Sequence, residues 1–137
     1  MINYLPPALP NYADDVEKLF PEETRKAYEI TLQVTEDCCM ACSYCYQLNK
    51  KPNKMSLDNA KTFIDNLLTD SYTAVNTKNA FAVCLNFIGG EPLMEIDLID
   101  NICEYFIKSL IELNHPWLYH IRFGICSNGL LYKTEKV

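Results

Sequence analysis

Four of the chain's seven cysteines fall within eight consecutive positions of the stretch DCCMACSYCYQ, residues 37–47. Cys38, Cys42 and Cys45 follow the pattern C-x-x-x-C-x-x-C, and thiolates at these offsets on a tight loop can bind one soft metal centre such as an iron-sulfur cube. Three ligands would leave one iron of a cube open. Cys39 is adjacent to Cys38, and successive side chains on a loop rarely reach the same cluster, so we predict that Cys39 is not a ligand.

Two other kinds of site also fit part of this pattern. A structural zinc site would need a fourth ligand, and the two histidines, His115 and His120, lie far along the chain. A thioredoxin-like redox pair at Cys42 and Cys45 would leave Cys38 unused. An iron-sulfur cluster uses all three spaced cysteines, and zinc and redox chemistry stay open as alternatives.

The composition of the chain indicates what kind of protein contains this cysteine loop. The chain has 137 residues, of which 49% are apolar and 22% charged, so we expect one globular domain with a real core. A net charge of -6 argues against a nucleic-acid surface. Neither a signal peptide nor a membrane span is visible, which predicts a cytoplasmic protein. In a reducing compartment an odd number of cysteines favours metal or redox chemistry over a disulfide framework.

The pattern of apolar residues predicts three strands and two helices. A strand at AYEITLQVT precedes the cysteines, FAVCLNFI suits a strand buried on both faces, and LYHIRFGIC is a third strand. Between them, a helix begins after the N-cap Ser56 and a second runs from about Ile96 to a stop at Asn114 and Pro116. The apolar stripes of the two helices are Ala60, Phe63, Ile64, Leu67 and Leu68, and then Ile99, Ile102, Cys103, Phe106, Ile107 and Leu110.

The order β-α-β-α-β implies an α/β fold with a parallel sheet. Three unusual stretches, CCMACSYC, GGEP and SNG, each follow a strand. The carboxyl ends of parallel strands share one face, so these stretches should meet in space. The proline-containing residues 1–26, with a short helical possibility at DDVEKLF, are predicted to be an N-terminal extension packed on the domain.

The cysteine loop, with Tyr44 and Tyr46 flanking its last cysteine, and the GGEP of residues 89–92 together resemble the radical SAM superfamily. The resemblance covers roughly residues 27–132. It implies a partial (β/α) TIM-like barrel, truncated here after about three βα units, with residues 27–137 as the N-terminal half of the core domain. Cys38, Cys42 and Cys45 would hold a 4Fe-4S cluster whose fourth iron binds S-adenosylmethionine. Reductive cleavage would give a 5′-deoxyadenosyl radical that abstracts hydrogen from a substrate.

The resemblance also assigns cofactor-binding residues outside the cluster. Gly89 and Gly90 would let the backbone approach the methionyl end, Glu91 would accept from its ammonium through the carbonyl or carboxylate, and Pro92 would stiffen the strand exit. The remaining contacts would be Tyr44 against the adenine and the polar groups of Ser127 and Asn128. Taken alone, GGEP and SNG are also ordinary turn signals. Cys84, Cys103 and Cys126 are predicted to be buried core thiols.

The resemblance implies partners as well. The look of VTEDCCMACSYCYQ with GGEPL and SNG leans towards the sulfatase-maturase-like branch, which predicts a peptide or protein side chain as substrate. A flavodoxin- or ferredoxin-type protein would donate the electron, and Lys50, Lys51 and Lys54 form either a solvated loop or its docking patch. The alternative function is a non-catalytic iron-sulfur or zinc module with a structural or electron-transfer role.

Overall fold

The structure, a computed structural model, describes residues 27–47, 50–69 and 80–133. Its elements in chain order are β1 (Ala27–Thr35), α1 (Leu57–Leu68), β2 (Ala82–Gly89), a first 3-10 helix (Pro92–Glu95), α2 (Ile96–Glu112), a second 3-10 helix (Pro116–Tyr119) and β3 (Ile121–Ile125). The predicted extension at 1–26, with its helical possibility, lies outside the described residues. The boundary after residue 26 therefore stays a prediction.

The sheet has the order β1-β2-β3, and both strand pairs are parallel. Parallel neighbours need a long crossover connection, and α1 and α2 lie within the two connections. The predicted α/β fold with three parallel strands and two helices is confirmed. It is consistent with part of a radical SAM-type (β/α) barrel.

The core lies on one face of the sheet. β2 buries Val83, Leu85 and Phe87 on that face, in one apolar cluster with alternate residues of β1 and the stripes of both helices. The residues between them on β2, such as Cys84 and Asn86, are only half-buried. The prediction that β2 is buried on both faces was therefore wrong for the described part of the chain.

The other face of the sheet is polar at its centre. The Asn86 side chain donates to the Glu29 carboxylate across the strands, with 2.6 Å between Nδ2 and Oε1. On the neighbouring strand, a Cβ on Gly124 would overlap the Asn86 amide oxygen, so the glycine leaves the room that this side chain occupies. This face thus carries hydrogen-bonding groups in place of a second apolar layer.

The helix ends follow the sequence signals. The Ser56 hydroxyl accepts from the Asn59 N–H at 3.1 Å, which confirms Ser56 as the N-cap of α1. At the end of α2, Asn114 adopts a left-handed φ of 46° and His115 N–H donates to Leu110 O at 2.9 Å. This is a Schellman-type stop. Neither α-helix in the described part of the chain combines the length and the apolar character of a membrane span.

Three details differ from the sequence-based expectations. β3 begins only at Ile121, because Leu118 and Tyr119 belong to the second 3-10 helix. Ile107, predicted on the buried stripe of α2, is 36% exposed. The three cysteines outside the loop were expected to be buried, but Cys84 and Cys103 are half-buried and Cys126, just after β3, is exposed.

Candidate metal and cofactor site

The cysteine loop is closed at its base by hydrogen bonds. Where the chain leaves β1, the Glu36 N–H donates to the Asn53 carbonyl at 2.9 Å and the Thr35 hydroxyl donates to the same oxygen at 3.2 Å. Thr35 also forms an isolated antiparallel bridge with Lys54. The two ends of the loop are therefore held side by side at the carboxyl end of β1.

Two residues that the sequence analysis missed shape the start of the loop. The buried Thr35 accepts from the Asp37 N–H at 3.0 Å, and Asp37 Oδ1 accepts from the Cys38 N–H at 2.8 Å. These are the side-chain turns that threonine and aspartate form with nearby backbone. Their signal was present in the residues T-E-D just before the first cysteine, and together they direct the chain into the position of Cys38.

The four loop cysteines differ in exposure. Cys38, Cys42 and Cys45 are half-buried, whereas Cys39 is exposed, and the assignment of Cys39 as a non-ligand stays a prediction. Cys42 and Cys45 share a turn, with 3.2 Å from Cys45 N to Cys42 O, and both line a surface depression of about 290 Å³. No three His, Cys, Asp or Glu side chains of the described residues are placed to hold a single metal ion.

The donor set nevertheless fits an iron-sulfur cluster. Clusters are held by thiolates, and in a cube each thiolate binds a different iron, so the sulfurs need not meet around one ion. Three half-buried thiols on a loop with a fixed base supply the thiolate donors that such a cluster uses. The assignment of Cys38, Cys42 and Cys45 as ligands stays a prediction.

The GGEP segment packs directly against the start of the loop. Gly90 N–H donates to Thr35 O at 3.1 Å, and Glu91 N–H donates to Asp37 O at 2.8 Å. A Cβ on Gly90 would lie 2.8 Å from the Cys38 Cβ, and one on Gly89 would lie 2.7 Å from Thr35 O. Both glycines are thus required by contacts within the chain, a reason separate from the predicted approach of a cofactor.

The Glu91 side chain brings in the third motif. It is fully buried, and its Oε1 accepts from Ser127 Oγ at 2.8 Å while its Oε2 accepts from the Asn128 N–H at 2.8 Å. The Asn128 amide in turn reaches Cys39 Sγ at 3.5 Å. The three motifs meet at the carboxyl ends of the strands, as their positions in the sequence predicted.

The two remaining predicted residues lie at the margins of this arrangement. Pro92 is buried at the first position of the first 3-10 helix, where its fixed φ suits the strand exit. Tyr44 is 87% exposed, and a side-chain hydrogen bond with Cys42 raises the pKa of its hydroxyl. Its predicted contact with an adenine stays a prediction.

Comparison with known proteins shows which protein family this chain matches. A family model described as a 4Fe-4S single cluster domain matches residues 28–121, which is more than half of the chain and contains both the cysteine loop and GGEP. The match begins within β1 and ends at the first residue of β3.

Two curated proteins are similar over most of this chain. An uncharacterized protein of Methanocaldococcus jannaschii is 38% identical over 108 residues, which are 79% of this chain and 32% of that protein. An S-adenosylmethionine-dependent nucleotide dehydratase of Selenomonas ruminantium is 34% identical over 111 residues, which are 81% of this chain and 33% of that protein. The chain thus spans about a third of the length of these relatives.

Proposed function

The chain belongs to the 4Fe-4S single cluster domains, here of radical SAM type, and from this premise we propose that it is the cluster-binding part of a radical SAM enzyme. Cys38, Cys42 and Cys45 are its proposed ligands. Bound there, a reduced cluster with S-adenosylmethionine supplies one-electron chemistry that leads to hydrogen abstraction from a substrate. The observation that carries the proposal is the meeting of the cysteine loop, GGEP and SNG around the buried Glu91.

The proposed contacts of the chain with S-adenosylmethionine follow from where its polar groups lie. The cofactor would lie beside the loop, at the strand ends, where the Ser127 and Asn128 side chains and the backbone of GGEP present polar groups. Gly90 keeps this backbone against the loop because it has no Cβ to separate them. The support for S-adenosylmethionine is the name of the Selenomonas ruminantium relative, together with the match of the cluster domain.

For the substrate we propose a nucleotide. The peptide-modifying branch predicted from the sequence finds no support in the comparisons, whereas one relative is named as a nucleotide dehydratase. The polar face of the sheet fits this choice, because Glu29 and Asn86 place a carboxylate and an amide where ribose hydroxyls or base edges can hydrogen-bond.

The electron donor is a second proposed partner. Of the three lysines after the cysteines, Lys50 donates to the Met40 carbonyl and Lys54 lies 3.4 Å from the Glu95 carboxylate. Lys51 is exposed. A basic docking patch for a flavodoxin- or ferredoxin-type protein would therefore centre on Lys51, with the other two amines partly engaged by the chain itself.

Anaerobic reconstitution tests this function. We expect about four irons and four sulfides per chain, and a change in the electron paramagnetic resonance spectrum of the reduced cluster on addition of S-adenosylmethionine. Binding is the primary readout, because the chain spans about a third of its relatives. Zinc uptake without iron, or a cluster that ignores S-adenosylmethionine, would support the non-catalytic alternative instead.

The substrate class has its own test. Each of the four ribonucleoside 5′-triphosphates, and a mixture of short unstructured peptides as the matched control, would be added to the reconstituted chain with S-adenosylmethionine. We expect a further spectral change with at least one nucleotide and none with the peptides. The reverse result would restore the peptide-modifying prediction.

A further inference from the structure

Glu91 is fully buried at the exit of β2, and its carboxylate is occupied by donors of the chain itself. Oε1 accepts from the Leu93 N–H at 3.0 Å and from the Ser127 hydroxyl at 2.8 Å. Oε2 accepts from the Asn128 N–H at 2.8 Å. A buried carboxylate must find such partners, because leaving it unpaired is costly.

The donors from the exit of β3 are themselves the anchors of a turn. The Ser127 hydroxyl accepts from the Gly129 N–H at 2.9 Å, and the Asn128 side-chain oxygen accepts from the Leu130 N–H at 3.0 Å. The Asn128 amide nitrogen then faces Cys39 Sγ at 3.5 Å. The orientation of this turn therefore depends on the carboxylate that holds its first two residues.

The backbone of Glu91 is held by the cysteine loop, whereas its side chain is held by the turn after β3. Its N–H donates to Asp37 O at 2.8 Å, next to the first predicted cluster ligand, Cys38. One residue thus joins the exits of all three strands: its backbone contacts the loop after β1, and its side chain contacts the turn after β3. Hydrogen bonds linked in this way depend on one another.

We propose that Glu91 is a positioning residue that sets the Ser127–Asn128 turn in register with the cysteine loop, so that the two together form the binding site for S-adenosylmethionine. The carboxylate itself does not contact the cofactor in this role. The inference rests on the proposed function. Of the two acceptors predicted from the sequence for the cofactor ammonium, it excludes the Glu91 carboxylate and leaves the backbone carbonyl.

The variant Glu91→Gln tests this role with little change in size. A glutamine can accept from Leu93 and Ser127 through its oxygen, but its NH₂ group meets the Asn128 N–H as donor against donor. We expect unchanged iron content and an apparent Kd for S-adenosylmethionine about tenfold higher, measured by titration of the reduced cluster spectrum. Glu104→Gln, on the exposed side of α2, is the matched control and should bind as the wild type does.

Ser127→Ala provides a second variant that keeps the carboxylate. It removes one of the donors, and we expect the apparent Kd to rise about threefold. The two changes remove different contacts of one carboxylate, the Asn128 N–H contact in Glu91→Gln and the Ser127 hydroxyl contact in Ser127→Ala, so the double variant should bind more weakly than either single variant. A double variant that binds no more weakly than Glu91→Gln would show that the Ser127 contact does not position the turn. If Glu91→Gln fails to fold, a Ser127→Ala variant that binds S-adenosylmethionine as tightly as the wild type would still overturn the role.

The outcomes separate this role from the function on which it rests. A wild-type chain that takes up iron but does not respond to S-adenosylmethionine overturns the proposed function, and the positioning role with it. A wild-type chain that responds, with Glu91→Gln or Ser127→Ala binding equally tightly, overturns the positioning role alone. A Glu91→Gln variant that folds but loses its iron would also overturn it, because the carboxylate would then serve the cluster loop.

Discussion

Gly90 and Asp37 lie in direct backbone contact: a Cβ on Gly90 would stand 2.6 Å from the carbonyl carbon of Asp37. Backbone atoms cannot rotate away as a side chain can. We therefore expect Gly90→Ala to push the cysteine loop off GGEP, to lower the free energy of unfolding by about 1–3 kcal/mol and to abolish iron uptake. Urea unfolding and iron analysis after reconstitution measure the two effects.

Gly129→Ala is the contrasting variant for this experiment. Gly129 has a φ of 78°, but a Cβ there would have no atom within 4 Å. Its cost should be about 1 kcal/mol from the backbone conformation alone, with iron uptake retained. A Gly90→Ala chain that takes up iron as the wild type does would show that the contact with Asp37 is dispensable.

Substitution of the four loop cysteines should have two different effects on cluster assembly. Alanine at Cys38, Cys42 or Cys45 should each prevent assembly of the 4Fe-4S cluster, because only three thiolates are available to hold it. Cys39→Ala should keep the cluster, since this side chain is exposed and contacts Asn128 instead. Visible absorption and iron content after reconstitution check this, and loss of iron in Cys39→Ala would reassign the ligands.

A substitution at Trp117 should lower the stability of the fold without affecting the candidate cluster site. It is fully buried, and its Nε1–H donates to Ala80 O at 2.9 Å. Trp117→Phe leaves that carbonyl unpaired and opens space in the core, which should lower the free energy of unfolding by about 2–3 kcal/mol. Iron uptake per folded chain should not change. Tyr119→Phe, at an 81% exposed position, should stay within about 0.5 kcal/mol of the wild type.

The thiol of Cys103, on α2, should react slowly with alkylating reagents. Burial, and secondly the negative charge of Asp100, raise its pKa to about 11. Both causes disfavour the thiolate, so at pH 8 only about one thiol in a thousand is reactive, and reactivity should rise steadily towards pH 11. Alkylation by iodoacetamide, followed by peptide mass spectrometry, would measure this rate.

Asp100→Asn supplies the control for this measurement. It removes the secondary cause and leaves the burial, so alkylation of Cys103 at pH 8 should become a few-fold faster. Equal rates in the variant and the wild type would show that Asp100 does not act on the thiol. Rapid alkylation of Cys103 in the wild type at pH 8 would contradict the raised pKa.

The fold was largely predictable because its signals are local. Period-two alternation in β1, helical spacing after Ser56 and the stop at Asn114 each depend on residues close in sequence, and each is confirmed. The burial of β2 was mispredicted, because an apolar run does not show how many of its faces will be covered. That depends on where the helices pack, which is a tertiary property.

The candidate site was also predictable only in part: its location could be predicted, but its side-chain contacts could not. The meeting of three motifs followed from strand topology, without any knowledge of side-chain contacts. Two of the three partners of the Glu91 carboxylate, Ser127 and Asn128, lie 36 and 37 residues away, and no local pattern pairs a glutamate with them. The packing of Gly90 on Asp37 is equally non-local.

The closed base of the cysteine loop has an entropic consequence for metal binding. Joining Thr35 to Asn53, 18 residues apart, costs about 2.6 kcal/mol of loop-closure entropy beyond a constant, and hydrogen bonds and the bridge to Lys54 offset that cost during folding. A cluster entering the loop therefore has to order only side chains and a few torsions. Its affinity should depend weakly on the length of the segment between Cys45 and Asn53.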